Sequence, residues 1–509
     1  MKYERTKNTV RGTAFGFLNR VISLLIPFLV RTILIRVLGM EYLGLGSLFS
    51  SILGVLSLAE LGVGAAIVFS MYQAIADEDK GLICALMAFY KKAYRAVGGV
   101  ILLAGLLMTP LLPIICPQQL PDGMNLFLLY FIYLANTVLS YFLFAYKNCL
   151  LTAFQRVDIS SNVGSCIHLA LYFLQIVVLL VTRNYYCYVV LIPIFSVIQN
   201  VATAYYVTKK YPEYSAVGEI PTTLYNDIIN KIKALFLYKI GSVVLTSVDS
   251  IVISAFLGLS VLGQYNSYYY VIYTLFGFLQ VYYTAMTPGV GNSMSTETVE
   301  KNYMDFKKLN FIQGWIIGWC TVCLLCLYQP FISLWVGNEY LFPRGVVICF
   351  ALYFYLWKMM DMVNTYKEAS GMWEYDKYRQ IFASGTNLIL NIVLVQKIRI
   401  YGILLSTVLS IACITLPWST IVLFKYYFKC GLGEYFKKYA IRFLVTCFVG
   451  VVTSVVCEVF MPNMTAMTLL GRGIICVFLP NLLFWFVFHF STDYKDTVQW
   501  VDKKFRELF

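Results

Sequence analysis

Five charged side chains sit inside long apolar runs of this sequence: Arg20, Arg31, Glu60, Lys239 and Asp249. A charge at mid-bilayer costs at least about 2.5 to 3.5 kcal/mol on insertion scales, so each one needs a partner, a wet cavity or a ligand. Arg20 and Lys239 are 219 residues apart, and that offset recurs. Leu38-Gly39 followed by Leu43-Gly44 matches Leu257-Gly258 followed by Leu262-Gly263, and the same register pairs Phe17 with Phe236, Leu18 with Leu237 and Ser23 with Ser242. It therefore sets one cation at the same depth in each half of a repeat. Two facing cations make an anion site, for which phosphate or pyrophosphate is the natural guest: Arg offers a bidentate fork and Lys a point charge. The plainer alternative is that both side chains snorkel to the interface. Arg31 either joins that site or pairs with Glu60 or Asp249. Asp249 lies near the centre of its run and is too short to snorkel, so it is an ion-pair partner or an acidic site for a coupling proton or Na⁺. Glu60 is open to the same two roles.

The remaining chemistry-bearing residues point elsewhere. The sequence has 14 cysteines. Cys320, Cys323 and Cys326 fall on one flank of a helix with a spacing that resembles part of an iron–sulfur run. No fourth ligand is near, and most of the other cysteines are also inside apolar runs, where a free thiol behaves as a small hydrophobe. His168 and His489 are too far apart for a metal cluster. P-loop, GxSxG and HExxH motifs are missing. No catalytic residue, metal or cofactor is therefore expected, and the chain is not read as an enzyme. Gly314 and Gly318 form a GxxxG that suits close helix packing. Tyr268, Tyr269, Tyr270, Tyr273, Tyr282 and Tyr283 exceed the needs of an interfacial belt; they are lipid-interface anchors or rings that stack on sugars.

The elements that must position these residues follow from composition. Of 509 residues 60% are hydrophobic and 13% charged, against roughly 25% charged in soluble proteins. Such an apolar surplus belongs in lipid. The runs are continuous and about 20 residues long, which suits helices rather than barrel strands. The fold class is all-α polytopic, with about 14 spans near 13–36, 42–70, 93–115, 124–146, 161–182, 186–208, 236–257, 265–288, 311–329, 345–364, 380–396, 400–424, 443–460 and 470–490. The second run is long enough to be tilted or kinked at Gly62 and Gly64. The offset of 219 makes spans 7–12 a parallel repeat of spans 1–6, related by an axis along the membrane normal. The organisation expected is an N-lobe over 1–208, a linker over 209–235 and a C-lobe over 236–424. Residues 425–509 add two spans and a cytoplasmic tail. In the linker Ile228, Ile229, Ile232, Leu235 and Phe236 fall at helical spacing, as in a short helix lying in the membrane interface.

Orientation follows from Lys and Arg. With the N-terminus inside, inner segments carry thirty of the 39 basic residues, outer loops carry six (Arg36, Arg183, Arg344, Lys397, Arg399 and Arg472), and Arg20, Arg31 and Lys239 remain within spans. Both termini are expected to be cytoplasmic. The net charge of +13 is a topology signal helped by attraction to anionic head groups; nucleic acid is not an expected partner.

Two segments carry a family resemblance. Arg31-Thr32-Ile33-Leu34-Ile35-Arg36-Val37-Leu38-Gly39-Met40-Glu41-Tyr42-Leu43-Gly44, with Leu58-Ala59-Glu60-Leu61-Gly62-Val63-Gly64-Ala65-Ala66, resembles the polysaccharide (O-antigen, capsule or exopolysaccharide repeat-unit) flippases. Their superfamily also holds the multidrug and toxin extruders and the lipid II flippase. Asp249 to Gly258, with Gly263-Gln264-Tyr265, is similar to that family's second-lobe signature. The resemblance implies two six-helix lobes that alternate between inward-open and outward-open, with a cationic cavity between them. It implies transfer of a polyprenyl-diphosphate-linked oligosaccharide to the outer leaflet of the bacterial plasma membrane, with membrane lipids and a polysaccharide polymerase as partners and H⁺ or Na⁺ as coupling ion. Arg20, Arg31 and Lys239 fit the diphosphate cavity; cations are sparse in spans 8–12. The alternative is a multidrug or cation antiporter of the same superfamily, which needs an acid-lined cavity. A membrane glycosyltransferase or polymerase would need long outer loops bearing catalytic residues, and the outer loops here are short.

Overall fold

The computed structural model describes residues 25–60, 62–118 and 120–508, without the side chains of a few helical residues. Nearly all of this is helix, with no strand among the described residues. The apolar runs fold as helices because a bilayer-spanning backbone must satisfy its hydrogen bonds within the segment. The chain divides into two compact units, Met1–Gly263 and Gln264–Phe509.

The first unit contains α1 (25–37), α2 (Met40–Leu56), α3 (Val63–Ala76), α4 (Lys80–Met108), α5 (Leu126–Phe142), α6 (Asn148–Ala153), α7 (Val157–Thr182), α8 (Tyr185–Lys210) and α9 (Thr222–Leu257). The second unit begins just inside α10 (Leu259–Thr296). It continues through α11 (Val299–Val336), α12 (Arg344–Met359), α13 (Asp361–Ala369), α14 (Arg379–Ile398), α15 (Ile400–Ser410), α16 (Leu416–Leu423), α17 (Gly433–Phe460), α18 (Ala466–Phe488) and α19 (Thr492–Leu508). Nine helices are long and apolar enough to cross a membrane among the described residues. A tenth span is made if α5 and the segment Ala145–Ala153 that ends in α6, bent by 48°, count as one. The described part of each expected run lies on a helix or a broken pair, and the chain is a multi-pass membrane protein.

The linker differs from the sequence expectation, and the kink expected in the second run is a full break at Gly62. The interfacial linker helix and the seventh span are one continuous helix, α9, which clusters with the first unit. The reason is packing. α9 lies along α2 and also touches α3, while its polar N-terminal part is held by Tyr225 edge-on to Phe89 and by Lys231 4.6 Å above the Phe69 ring. The second run is broken outright: α2 ends at Leu56, a single 3₁₀ turn covers Ser57–Glu60, and α3 restarts after Gly62 at φ +92°. Only glycine takes that conformation without strain.

The repeat register reappears in the backbone. Gly39 closes α1 at φ 117°, ψ 172° and Gly258 closes α9 at φ 95°, ψ 173°. The contacts are reciprocal as well. A Cβ on Gly44 would overlap the Leu259 carbonyl, and one on Gly263 would overlap the Met40 carbonyl. Met40 and Leu259, like Gly44 and Gly263, are partners at the 219-residue offset, so each helix start crosses the other's glycine as across a local two-fold axis.

Candidate functional site

The break between α2 and α3 puts Glu60 into a cavity of the first unit of about 570 Å³. Its walls come from α3 to α8 and combine Tyr72, Tyr90, Tyr94 and Tyr141 with Ser140, Asn148, Thr152, Gln199, Asn200 and Thr203. The carboxylate accepts a hydrogen bond from the Tyr94 hydroxyl at 2.7 Å and another from the Tyr141 hydroxyl, while Tyr90 donates to Tyr94 at 2.8 Å. The Tyr90 and Tyr94 rings lie 4.3 Å apart. Gly64 leaves the room that the Tyr90 hydroxyl occupies. Among the described residues Glu60 has no ion pair and is the one charged residue lining this cavity. An ionised carboxylate has about four lone-pair positions, so two tyrosine protons leave acceptor capacity for a proton or a small cation. The hydroxyls and amides around it are oxygen donors of the kind hard cations take.

The other sequence candidates are distributed as follows. Arg31 is half-buried on α1, within electrostatic reach of Tyr188 on α8. Asp249 is buried on α9 together with Ser250 and Ser254, in the same unit as Glu60. α9 also packs against the Ser57–Glu60 turn. Arg20 lies outside the described residues. Lys239 is helical within α9, but its side chain also lies outside them.

The second unit holds buried charges that sequence reading assigned to loops. Lys367 on α13 meets Asp376 at 2.6 Å, and Arg379 at the start of α14 meets the other Asp376 oxygen at 2.7 Å; all three are at most 6% exposed. Ser419 completes the cluster, 3.3 Å from the Lys367 ammonium. Lys358, equally buried, pairs with Asp361 at 2.7 Å and stands 4.4 Å from the Phe276 ring centroid. Arg442 on α17 donates to the Asn310 carbonyl and reaches Asp493 at 3.3 Å, which ties α19 to the bundle. Arg472, expected in an outer loop, is buried on α18 with hydrogen bonds to the Met461 and Cys326 carbonyls. Lys358, Lys367 and Arg379 are thus buried in this half as cations paired with carboxylates. Their sequence signal was masked because a run of Lys, Asp and Arg between apolar segments reads as a solvated loop. Gly314 and Gly318 let α17 close on α11, with Arg442 and Thr446 against them.

No family model matches the chain, and neither does any curated protein sequence. Solved structures do match. Lipid II flippase MurJ in an inward closed conformation superposes with a TM-score of 0.67 at 14% identity, covering 94% of this chain and 99% of that one. An inward-facing multidrug resistance MATE family transporter of the MOP superfamily gives 0.56 at 14% identity, over 79% of this chain and 94% of that one. A MOP superfamily transporter from Pyrococcus furiosus gives 0.50 at 15% identity, over 81% and 94%. At these identities the likeness is one of architecture, and the chain has the MurJ- and MATE-like membrane-transporter fold.

Proposed function

We propose that this chain is a flippase carrying polyprenyl-diphosphate-linked oligosaccharide repeat units from the cytoplasmic to the outer leaflet of the bacterial plasma membrane, for O-antigen, capsule or exopolysaccharide synthesis. The observation that carries this reading is the extent of the fold match. The lipid II flippase covers 94% of the chain, whereas the multidrug transporter leaves about a fifth of it unmatched. Lobes over 1–208 and 236–424 alternate access, with 209–235 between them, 425–509 appended and both termini cytoplasmic. Arg20, Arg31 and Lys239 hold the diphosphate, because guanidinium and ammonium groups in a low-dielectric cavity are the chemistry that binds it. A membrane potential negative inside favours outward movement of the anionic head group by about 2.3 kcal/mol per charge per 100 mV. Glu60 or Asp249 supplies coupling to H⁺ or Na⁺. The partners are the lipid-linked glycan, membrane lipids and a polysaccharide polymerase.

The experiment is leaflet accessibility. Cells lacking the protein are expected to hold the repeat-unit lipid where a membrane-impermeant oxidant of vicinal diols cannot reach it, and re-expression should expose it. Unchanged accessibility would sink the proposal.

A second reading, a cation antiporter, is favoured by the Glu60 cavity, which is walled by tyrosines and has no cation in its lining among the described residues. Glu60→Gln separates the two. In the flippase, neutralising Glu60 removes the ion dependence of transport and lowers its rate roughly tenfold, the effect of about 1.4 kcal/mol, without changing which lipid is moved. In an antiporter the same substitution abolishes resistance to cationic drugs and leaves surface glycan untouched.

A further inference from the structure

Three cysteines far apart in sequence meet inside the second unit. Cys326 comes from the second half of α11, Cys457 from the last turn of α17 and Cys476 from the middle of α18. Their Sγ atoms lie within 4.8 Å of one another, and none is more than 3% exposed. Val322, Val449 and Phe484 close the surroundings. Ser454 stands 3.5 Å from the Cys326 sulfur, and no carboxylate or imidazole joins the group among the described residues. The buried guanidinium of Arg472, one turn before Cys476, donates to the Cys326 carbonyl at 3.3 Å and the Met461 carbonyl at 2.7 Å. A fixed positive charge is therefore held at the backbone of one of the three cysteines, in an apolar core.

We propose that Cys326, Cys457 and Cys476 form a trigonal site for a soft monovalent metal ion of the Cu(I) class, with Arg472 as its counter-charge. Three sulfurs about 2.3 Å from a common ion stand about 4 Å apart, so the observed spread closes with side-chain adjustment alone. An all-sulfur donor set selects soft ions. Zinc wants a fourth ligand; Cys323 packs against the cluster with its thiol on the Cys476 carbonyl at 3.9 Å, outside the group of three sulfurs within 4.8 Å of one another, and this burial keeps water out. Charge balance agrees: two thiolates, one thiol, Cu(I) and the Arg472 guanidinium sum to zero, as an apolar core requires. Loading breaks two S–H bonds, forms two thiolate–copper bonds and one thiol–copper bond, releases two protons and moves no electron. The bound ion would staple the α17–α18 hairpin to α11. It is remote in sequence and unit from Glu60 and does not depend on the transport reading.

The test uses the full-length protein in detergent, reduced and anaerobic, titrated with Cu(I) against a chromophoric Cu(I) chelator. The expected result is one copper per chain, a sulfur-only shell by X-ray absorption and a higher Tm on loading. Cys457→Ser, eluting as wild type on gel filtration, should weaken retention at least tenfold, while Cys166→Ser, which removes an exposed thiol, should not. Should the Cys457 variant aggregate, the wild-type stoichiometry and spectrum decide. Copper no better retained than by Cys457→Ser, a nitrogen or oxygen shell, preferential retention of zinc, or a disulfide among the three in the reduced protein would each overturn the proposal.

Discussion

Arg20→Ala combined with Lys239→Ala is expected to abolish surface glycan and to leave the lipid-linked repeat unit accumulated on the cytoplasmic side. In the proposed flippase, the 219-residue register sets both cations at one depth in the two halves of the repeat. A charge-assisted hydrogen bond contributes about 1.5 to 3 kcal/mol. Losing two therefore weakens diphosphate binding by roughly 3 to 6 kcal/mol, or about 10² to 10⁴-fold. Surface polysaccharide is read by immunoblot and the lipid-linked pool by mass spectrometry, with membrane insertion of the variant verified. Arg20→Lys keeps the charge and loses the bidentate fork, so it should fall between wild type and the double variant. Normal export by a stably inserted double variant removes the diphosphate site from these residues.

Asp376→Ala carries the largest expected cost in stability. The Asp376 carboxylate is shared by Lys367 and Arg379, and all three are buried. Removing it leaves two cations facing each other in an apolar interior. Breaking one buried pair by deleting a partner costs about 3 to 5 kcal/mol, because an uncompensated charge remains. The purified variant should lose roughly 3 to 5 °C in Tm, at about 1 °C per kcal/mol for a chain of this size, and be depleted from membranes. Replacing the whole set, Lys367→Met with Asp376→Leu and Arg379→Met, deletes the charges together and should restore most of the stability. An Asp376→Ala protein with wild-type Tm would mean that the cluster is hydrated and that its geometry contributes nothing.

The contrast between these two experiments shows which features are local and which are not. The fold class, the helical character of the described runs and the repeat offset were legible because each is a pattern along one dimension: apolar length, continuity and register. Gly39 and Gly258 adopt matching backbone angles, since a turn between two helices constrains the residue at its corner wherever it occurs. The Glu60 carboxylate was legible as a charge in a run; the three tyrosines that surround it, from α4 and α5, were not. Of the Cys320, Cys323 and Cys326 run, Cys326 lies within 4.8 Å of both Cys457 and Cys476, 131 and 150 residues downstream, and Cys323 packs against the cluster beside Cys476.

What the sequence determined by itself is that this chain lives in lipid as a helical repeat with a few unavoidable intramembrane charges, because the cost of burying a charge or an unpaired backbone is set by residue type and run length. Tertiary structure alone decided that α9 packs along α2, that Lys367, Asp376 and Arg379 neutralise one another inside rather than face water, and that three distant thiols share a site. Those outcomes depend on which helix faces meet, and a helix face acquires its neighbours only when the bundle closes.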